Sequence, residues 1–243
     1  MPRQTLPKNT EGFDLVCCGS GRWAKLVSPK VGKLHCIDPS SAIHVAKNNL
    51  ANYQNCQFHQ ANVDNIPLAN ESMDFGYSLG VLHHIPDTQS AINSCVEKLK
   101  PGAPFLVYIY YNFDDKPIWF RTIWQFSNIF RIIISRLPYL VRYFVSQLIA
   151  ILVYYPLVKF SYWMDKIGFD VNNIPLSIYK KSSFYTMRTD SLDRFGTRLE
   201  QRFSKLQIQS MLEKGGLENI IFSNNIPFWC AVGTRKSSRI SIT

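Results

Sequence analysis

The stretch Phe13-Asp14-Leu15-Val16-Cys17-Cys18-Gly19-Ser20-Gly21 runs from apolar residues into a glycine-spaced turn. A second short run, Leu34-His35-Cys36-Ile37, ends at Asp38, 17 residues after Gly21. Glycines in such a turn allow positive φ and let another group approach the backbone closely. Short apolar runs closed by turns of this kind are the mark of strands covered on both faces. The alternation continues along the chain. Ser40 or Ser41 can cap a helix in which Ala42, Val45, Ala46, Asn49 and Leu50 share one face. Cys56–His59 reads as a third strand, Met73–Leu79 as a fourth, and Phe105–Tyr110 as a fifth with almost no polar alternation. Before the fifth, Asp87 or Thr88 caps a helix with Ile92, Cys95, Val96 and Leu99 at helical spacing. Lys98 and Lys100 suit the negative end of its dipole, and Pro101-Gly102 stops it.

Strands separated by helices and buried on both faces predict an α/β protein with a Rossmann-like, doubly wound and mostly parallel sheet. From Asn112 to about Arg202 the character changes to aromatic and basic, which reads as several helices plus a Phe/Tyr-rich loop. Ser204 then caps a short helix carrying Ile208, Met211 and Leu212 and closed by Gly215-Gly216. Two strands follow, Glu218–Phe222 and Trp229–Gly233, and the tail RKSSRISIT reads as frayed. The expected organisation is a cofactor-binding core over 1–111, a helical insertion or lid over 112–202, a closing helix and hairpin over 203–234, and a tail over 235–243.

The 243 residues suit one α/β domain with room for an insertion. With 46% apolar and 18% charged residues, a packed core is expected and global disorder is excluded. The net charge of +10 suits anionic partners: nucleic acid, phosphorylated small molecules or an acidic membrane face. No aromatic RNA-binding strand or Lys/Arg-dense arm is present, so no nucleic acid is expected. The six cysteines (17, 18, 36, 56, 95 and 230) form no Cys-x-x-Cys pair, and four lie inside apolar runs. They read as reduced core thiols of a cytoplasmic protein, and neither a metal site nor a disulfide framework is expected. The N-terminus MPRQTLPKNTEGFDL has no apolar signal core. Tyr143–Val158 is the most hydrophobic stretch, but it is 16 residues long and holds Ser146, Gln147 and Pro156. A spanning helix wants about 20 apolar residues, so this stretch is read as an interfacial or lid helix. There are no internal repeats.

Asp38 stands where a carboxylate can take both hydroxyls of an adenosine ribose, beside a glycine turn suited to close backbone approach. Together they point to an adenosine-bearing cofactor. Gly19-x-Gly21-x-x-Ala24 also fits the fingerprint of a nicotinamide-dependent dehydrogenase.

Five segments in order resemble the class I S-adenosylmethionine-dependent methyltransferase family, in its type-11 small-molecule branch. CCGSGRWAK stands in the place of the glycine loop, and HCIDPS holds the ribose-binding acid. ANVDNIPL corresponds to the adenine-contacting segment, MDFGYSLGVLHHIPD to the fourth strand and its loop, and KLKPGAPFLVYIYY to the approach to the fifth strand. The likeness covers Phe13 to Tyr111 and returns weakly over Leu206 to Gly233, which resembles a closing helix and antiparallel hairpin. It leaves the dehydrogenase reading without an account of VLHHIPD and LKPG. It implies that S-adenosylmethionine is the cofactor. Cys18, Gly19, Ser20 and Gly21 would line its methionine end, and Asp38 would bind the ribose, with Pro39 and Ser40 flanking the adenine. Asn62, Val63 and Asp64 would meet the adenine edge, with Asn62 and Asp64 as rivals for its exocyclic amine. Leu79 and Gly80 would offer a carbonyl to the ammonium.

The implied activity is methyl transfer to a small-molecule or saccharide acceptor, at oxygen. His83 and His84, in the loop after the fourth strand, are the candidate catalytic bases. Tyr111, Tyr185 and Arg188 are the candidate acceptor contacts, the last two within an expected loop, Phe184–Asp190. Trp119, Phe120, Ile123, Trp124, Phe126 and Phe130 make an aromatic face in the insertion. Such helices can cover the cleft, rest on a membrane or grip a lipid-linked acceptor. Peripheral membrane contact by an otherwise cytoplasmic protein therefore stands beside the simpler helical cap. Two departures from the family pattern leave a non-catalytic binding or scaffold protein as the alternative. Cys17 replaces the first glycine of the loop, and 12 residues precede the first strand where family members carry covering helices.

Overall fold

The computed structural model describes residues 9–14, 18–114, 116–224 and 229–237. The expectation about Cys17 lies outside the described residues. The chain divides into two compact units, one formed by Met1–Asn112 with Gln201–Thr243 and the other by Phe113–Glu200. In chain order the elements are β1 (Glu11–Asp14), α1 (Ala24–Val27), β2 (Lys33–Ile37), α2 (Ala42–Asn49), β3 (Cys56–His59), β4 (Phe75–Leu79), α3 (Thr88–Lys98) and β5 (Pro104–Tyr108). The inserted unit holds α4 (Ile118–Ile134), α5 (Tyr139–Ile149), α6 (Tyr155–Lys166) and α7 (Phe184–Gly196). The first unit then closes with α8 (Lys205–Lys214), β6 (Leu217–Phe222) and β7 (Cys230–Arg235).

The sheet has the order β3-β2-β1-β4-β5-β7-β6. β1 to β5 are parallel, and β7 runs antiparallel to both β5 and β6, as the sequence pattern predicts for a doubly wound sheet with a closing hairpin. Alternation along each strand assigns the two faces. Leu34, Cys36 and Tyr77 pack with Ala24, Ile43, Ala46 and Leu50 of the α1 and α2 layer. Phe13, Ile37, Phe105 and Val107 face Ile92, Val96, Ile208 and Leu212 of α3 and α8. Each large side chain so covered contributes about 1.5–3 kcal/mol. Where β1 meets β4, Gly12 lies opposite Phe75 and Phe13 opposite Gly76. A Cβ on Gly76 would sit 2.5 Å from the Phe13 ring, and one on Gly12 would enter the Phe75 ring. Ring and bare backbone alternate across this central pair, which lets two aromatic residues share it.

Local chemistry sets the helix ends. The Asp87 carboxylate accepts from Ser90 N–H at the start of α3. Ser204 and Gln207 form a reciprocal capping box on α8. Three boundaries differ from expectation. β4 starts at Phe75, because Met73 makes only an isolated bridge to Leu99. β5 ends at Tyr108, although Ile109 still exchanges two backbone hydrogen bonds with Trp229. The expected tail begins inside β7. Arg235 pairs with Glu71 at 2.7 Å and donates to the carbonyls of Glu97 and Leu99, which fixes a residue that reads as frayed.

In the inserted unit, Ile134, Tyr154, Val158, Met187 and Phe195 form the core. The hydrophobic stretch proves longer than its composition suggests, since helix runs unbroken from Tyr139 to Lys166. A π-helical turn at Ala150–Tyr154 directly precedes Pro156, and such a bulge is one way for a continuous helix to take a residue that lacks an N–H. The expected loop Phe184–Asp190 is helix. Ser183 caps α7 by accepting from Thr186 N–H, and Met187, Ser191 and Phe195 give it a buried face. The serine in the middle of that face hides its periodicity.

Candidate active site

Because β1 lies between β2 and β4, the chain winds away in opposite directions from this point, and their carboxyl ends open a crevice. Four sequence-predicted segments converge there. After β1, Gly21 N–H donates to Cys18 C=O at 2.8 Å to close a turn, and Lys25 N–H takes Gly21 C=O at 2.9 Å to start α1. Gly19 and Gly21 have φ of 54° and 80°. A Cβ at Gly21 would come within 2.8 Å of Leu50, so glycine here also lets α2 approach. The Asn49 side chain donates to Ser20 C=O and holds the outer edge of the turn.

Asp38 is the hub. Its residue is 1% exposed. Oδ2 accepts from Gly19 N–H at 2.9 Å, and Oδ1 accepts from Ser40 N–H at 2.8 Å and from Ser40 Oγ–H at 2.6 Å. Ser40 Oγ in turn accepts from Ala42 N–H at the start of α2, so Ser40 rather than Ser41 supplies that contact. The carboxylate thus joins the end of β2 to the glycine turn of β1. Pro39 and Ser40 are exposed beside it. After β3, Val63 is buried while Asn62 and Asp64 face outward on one 3₁₀ turn, whose Asn65 N–H bonds Asn62 C=O. After β4, Gly80 has φ of 81° and its N–H donates to Tyr108 C=O at 3.0 Å. Leu79 is half-buried beside it. At the end of β1, burial pushes the Asp14 carboxyl up to about 7, partly offset by the nearby Tyr77 hydroxyl and Cys18 thiol.

The two histidines separate in role. His83 is fully buried, with its ring stacked on Tyr110 at a centroid distance of 3.8 Å and neither ring nitrogen hydrogen-bonded. Burial, followed by the charges of His84 and Arg202, pushes it down to about 2. The expectation of an accessible base at His83 is not met: its ring is enclosed, and burial disfavours its protonated form. His84 is half-buried, its ring 5.9 Å from Tyr110 and edge-on to it. Gln201 secures this loop by donating its backbone N–H to His83 C=O and its side chain to Ile85 C=O. Arg202 lies 5.0 Å over the Tyr110 ring and donates to Tyr111 C=O. Neither residue is signalled by the sequence, since both stand more than 90 positions from the groups they hold.

Tyr111 sits on the short bridge to Phe203, its ring edge-on to Trp229. Tyr185 and Arg188 belong to the inserted unit, on α7 and not on a loop. Arg188 is not a free hook for an anion. Its guanidinium donates to Gln147 Oε1 and, at 3.1 Å, to the Tyr143 hydroxyl.

Residues 15–107 match the family model described as methyltransferase domain. No curated protein matches the chain. Among solved structures, a candidate methyltransferase from Bacillus halodurans is 17% identical, covering 89% of this chain and 67% of that one at a TM-score of 0.50. A candidate exported protein from Bordetella parapertussis is 14% identical, covering 97% and 64% at 0.55. The phosphoethanolamine N-methyltransferase 2 of Haemonchus contortus, solved with S-adenosyl-L-methionine, is 15% identical, covering 92% and 36% at 0.51. The chain thus spans between 36% and 67% of the length of these structures, and the likeness is one of fold. Residues 15–107 thus carry the signature of a methyltransferase domain, on a sheet whose fold is shared with these solved structures.

Proposed function

We propose that this protein methylates a small-molecule or saccharide acceptor at oxygen. The observation that carries the proposal is the buried Asp38 carboxylate bonded to Gly19, beside backbone left bare at Gly19, Gly21 and Gly80. The donor set fits the cofactor. A carboxylate offers about four acceptor sites, and three are taken here, one by the rotatable Ser40 hydroxyl. Asp38 can therefore accept one ribose hydroxyl directly and a second if Ser40 Oγ–H turns away. Asn62 or Asp64 would take the exocyclic amine, and the Leu79–Gly80 carbonyls the ammonium. S-adenosylmethionine supplies an activated methyl on a sulfonium. The protein's own part is to align the acceptor and exclude water. His84 takes the acceptor's hydroxyl proton at a ring nitrogen, with Tyr110 edge-on beside it and Tyr111 next along the loop after β5 as an acceptor contact.

Free thiols at Cys18, Cys36, Cys56, Cys95 and Cys230 support a reducing, cytoplasmic setting. A second reading, a membrane-associated form acting on a lipid-linked acceptor, is favoured by the outward apolar side chains of α4 to α6.

Calorimetric titration with S-adenosylhomocysteine tests the cofactor site, and absence of heat at millimolar ligand would leave only the scaffold alternative. Incubation with carbon-13 methyl-labelled S-adenosylmethionine and a small-molecule extract tests the acceptor. The carbon shift of the product separates a methoxy group from an N-methyl group, and a nitrogen product overturns the oxygen assignment.

A further inference from the structure

Besides its small apolar core, the inserted unit leaves much of its apolar surface facing outward. On α4, Trp119, Ile123, Phe126, Phe130 and Ile133 follow steps of four and three, which places them on one face, and all are exposed. The opposite face carries the polar residues. Arg131 is buried and donates to Asn128 Oδ1 at 2.6 Å and to the carbonyls of Thr197 and Arg198. Ser135 is buried beside it. The helix from Tyr139 to Lys166 also has an outward apolar face, over a buried face that mixes small polar and apolar residues. Its buried face is Ser146, Ala150, Tyr154, Val158 and Ser161, and Ser146 C=O accepts from the buried Ser191 of α7. Its outward face runs through Leu140, Phe144, Leu148, Leu152 and Tyr155, with exposures from 39% at Leu148 to 78% at Leu140. A helix dissolved in water turns its polar stripe outward. Here α4 turns Arg131 and Ser135 inward, and both long helices leave a broad apolar face outward.

We propose that this unit docks on an anionic lipid bilayer, immersing the outward faces of α4 and of the 139–166 helix in the hydrocarbon. The inference deepens the membrane-associated reading above and rests on it. Three observations favour lipid over a second copy or a protein partner. Charge is complementary to anionic headgroups: residues 113–200 hold 12 Lys/Arg against 7 Asp/Glu. The 139–166 helix carries no charge between Arg142 and Lys159, a run of about 24 Å at 1.5 Å per residue, and cations stacked on aromatic rings flank it. Arg142 lies 5.8 Å over Tyr139, and Lys166 lies 5.4 Å over Trp163. Aromatic and basic residues at the ends of an apolar run are the pattern of a membrane–water boundary. Finally, the apolar surface follows the length of two helices from Trp119 to Ile133 and from Leu140 to Tyr155. A protein interface instead gathers an apolar centre inside a polar rim. With one side packed on α7, the helices lie along the interface.

The test uses the full chain with phosphatidylcholine vesicles, with and without phosphatidylglycerol, in density-gradient flotation. The expected result is flotation with both, stronger with phosphatidylglycerol, and retention after a high-salt wash. Vesicles made with bromine-labelled acyl chains should also quench part of the total tryptophan emission, to which the exposed Trp119 and Trp163 contribute, a readout that needs no variant. Combining Phe126→Glu, Phe130→Glu and Leu152→Glu should cut flotation at least tenfold while the circular dichroism stays unchanged. Protein that remains at the bottom of every gradient overturns the proposal, as does flotation lost wholly to salt without quenching. A stable dimer that ignores vesicles overturns it in favour of a second copy. S-adenosylhomocysteine titration without lipid is measured alongside, so failure to float and failure to bind the nucleoside are separate results.

Discussion

Replacing Asp38 by Asn changes one oxygen into an NH₂ group and little else in size. The native carboxylate faces donors on both sides: Gly19 N–H at one oxygen, Ser40 N–H and Oγ–H at the other. An amide can present its oxygen to only one side. Turning it toward Ser40 keeps two bonds and sets NH₂ against Gly19 N–H, so the link between β2 and the glycine turn is lost. A hydrogen bond to a charged group is worth about 1.5–3 kcal/mol. One such loss predicts a melting temperature lower by roughly 4–8 °C, taking about 2 kcal/mol and 2–4 °C per kcal/mol for a chain of this size. The nucleoside should suffer a similar loss, because a ribose hydroxyl would meet a neutral amide in place of a charged acceptor. At 1.4 kcal/mol per factor of ten, that is a Kd raised about 10- to 150-fold. Calorimetry with S-adenosylhomocysteine, on samples shown by thermal melts to be folded at the titration temperature, measures it. A variant that binds as tightly as the parent would show that Asp38 holds the loop and nothing more.

Gly76→Ala should destabilise the chain by about 1–3 kcal/mol, read by urea denaturation, because its Cβ has no room beside the Phe13 ring. Gly102→Ala, where nothing lies within 4 Å but φ is 79°, isolates the backbone cost alone and should lose less. Asp14, raised by burial from 3.8 to about 7, binds its proton more tightly when folded, so its contribution is fully present below about pH 4 and lost as pH rises through 7. Asp14→Asn should therefore exceed the parent in stability above pH 7, by an amount on the order of 4 kcal/mol at most, with the difference vanishing below pH 4. Equal pH profiles would refute the assignment. Arg131→Met should cost about 2–4 kcal/mol by stripping Thr197 and Arg198 carbonyls of a charged donor, seen as earlier loss of helical signal in denaturant.

The sheet was readable because strands covered on both faces must be apolar throughout, and Phe13, Ile37 and Phe105 leave no other reading of their runs. Caps at Asp87 and Ser204 were equally plain, since each satisfies donors within three residues of itself. What depends on distant partners was hidden. Arg235 looks like the start of a loose basic tail until Glu71 and the end of α3 come alongside. His83 looks like a solvated base beside His84, yet Tyr110 and Gln201 enclose it from other segments. Arg188 stands in polar company that suggests a loop, while the helical face of Met187 and Phe195 is interrupted by Ser191. Asp38 could be placed at the end of its strand from the sequence, but its bond to Gly19 could not.

The strand bridge between Tyr111 and Phe203 has a consequence for how this chain tolerates change. Phe203 N–H bonds Tyr110 C=O and Asn112 N–H bonds Phe203 C=O, so the 88 residues from 113 to 200 leave and rejoin the sheet through one doorway. Closing a loop costs only about 0.6 kcal/mol for each doubling of its length. Such a cassette can grow, shrink or be exchanged with little penalty to the parallel strands, so the two compact units are free to change at different rates.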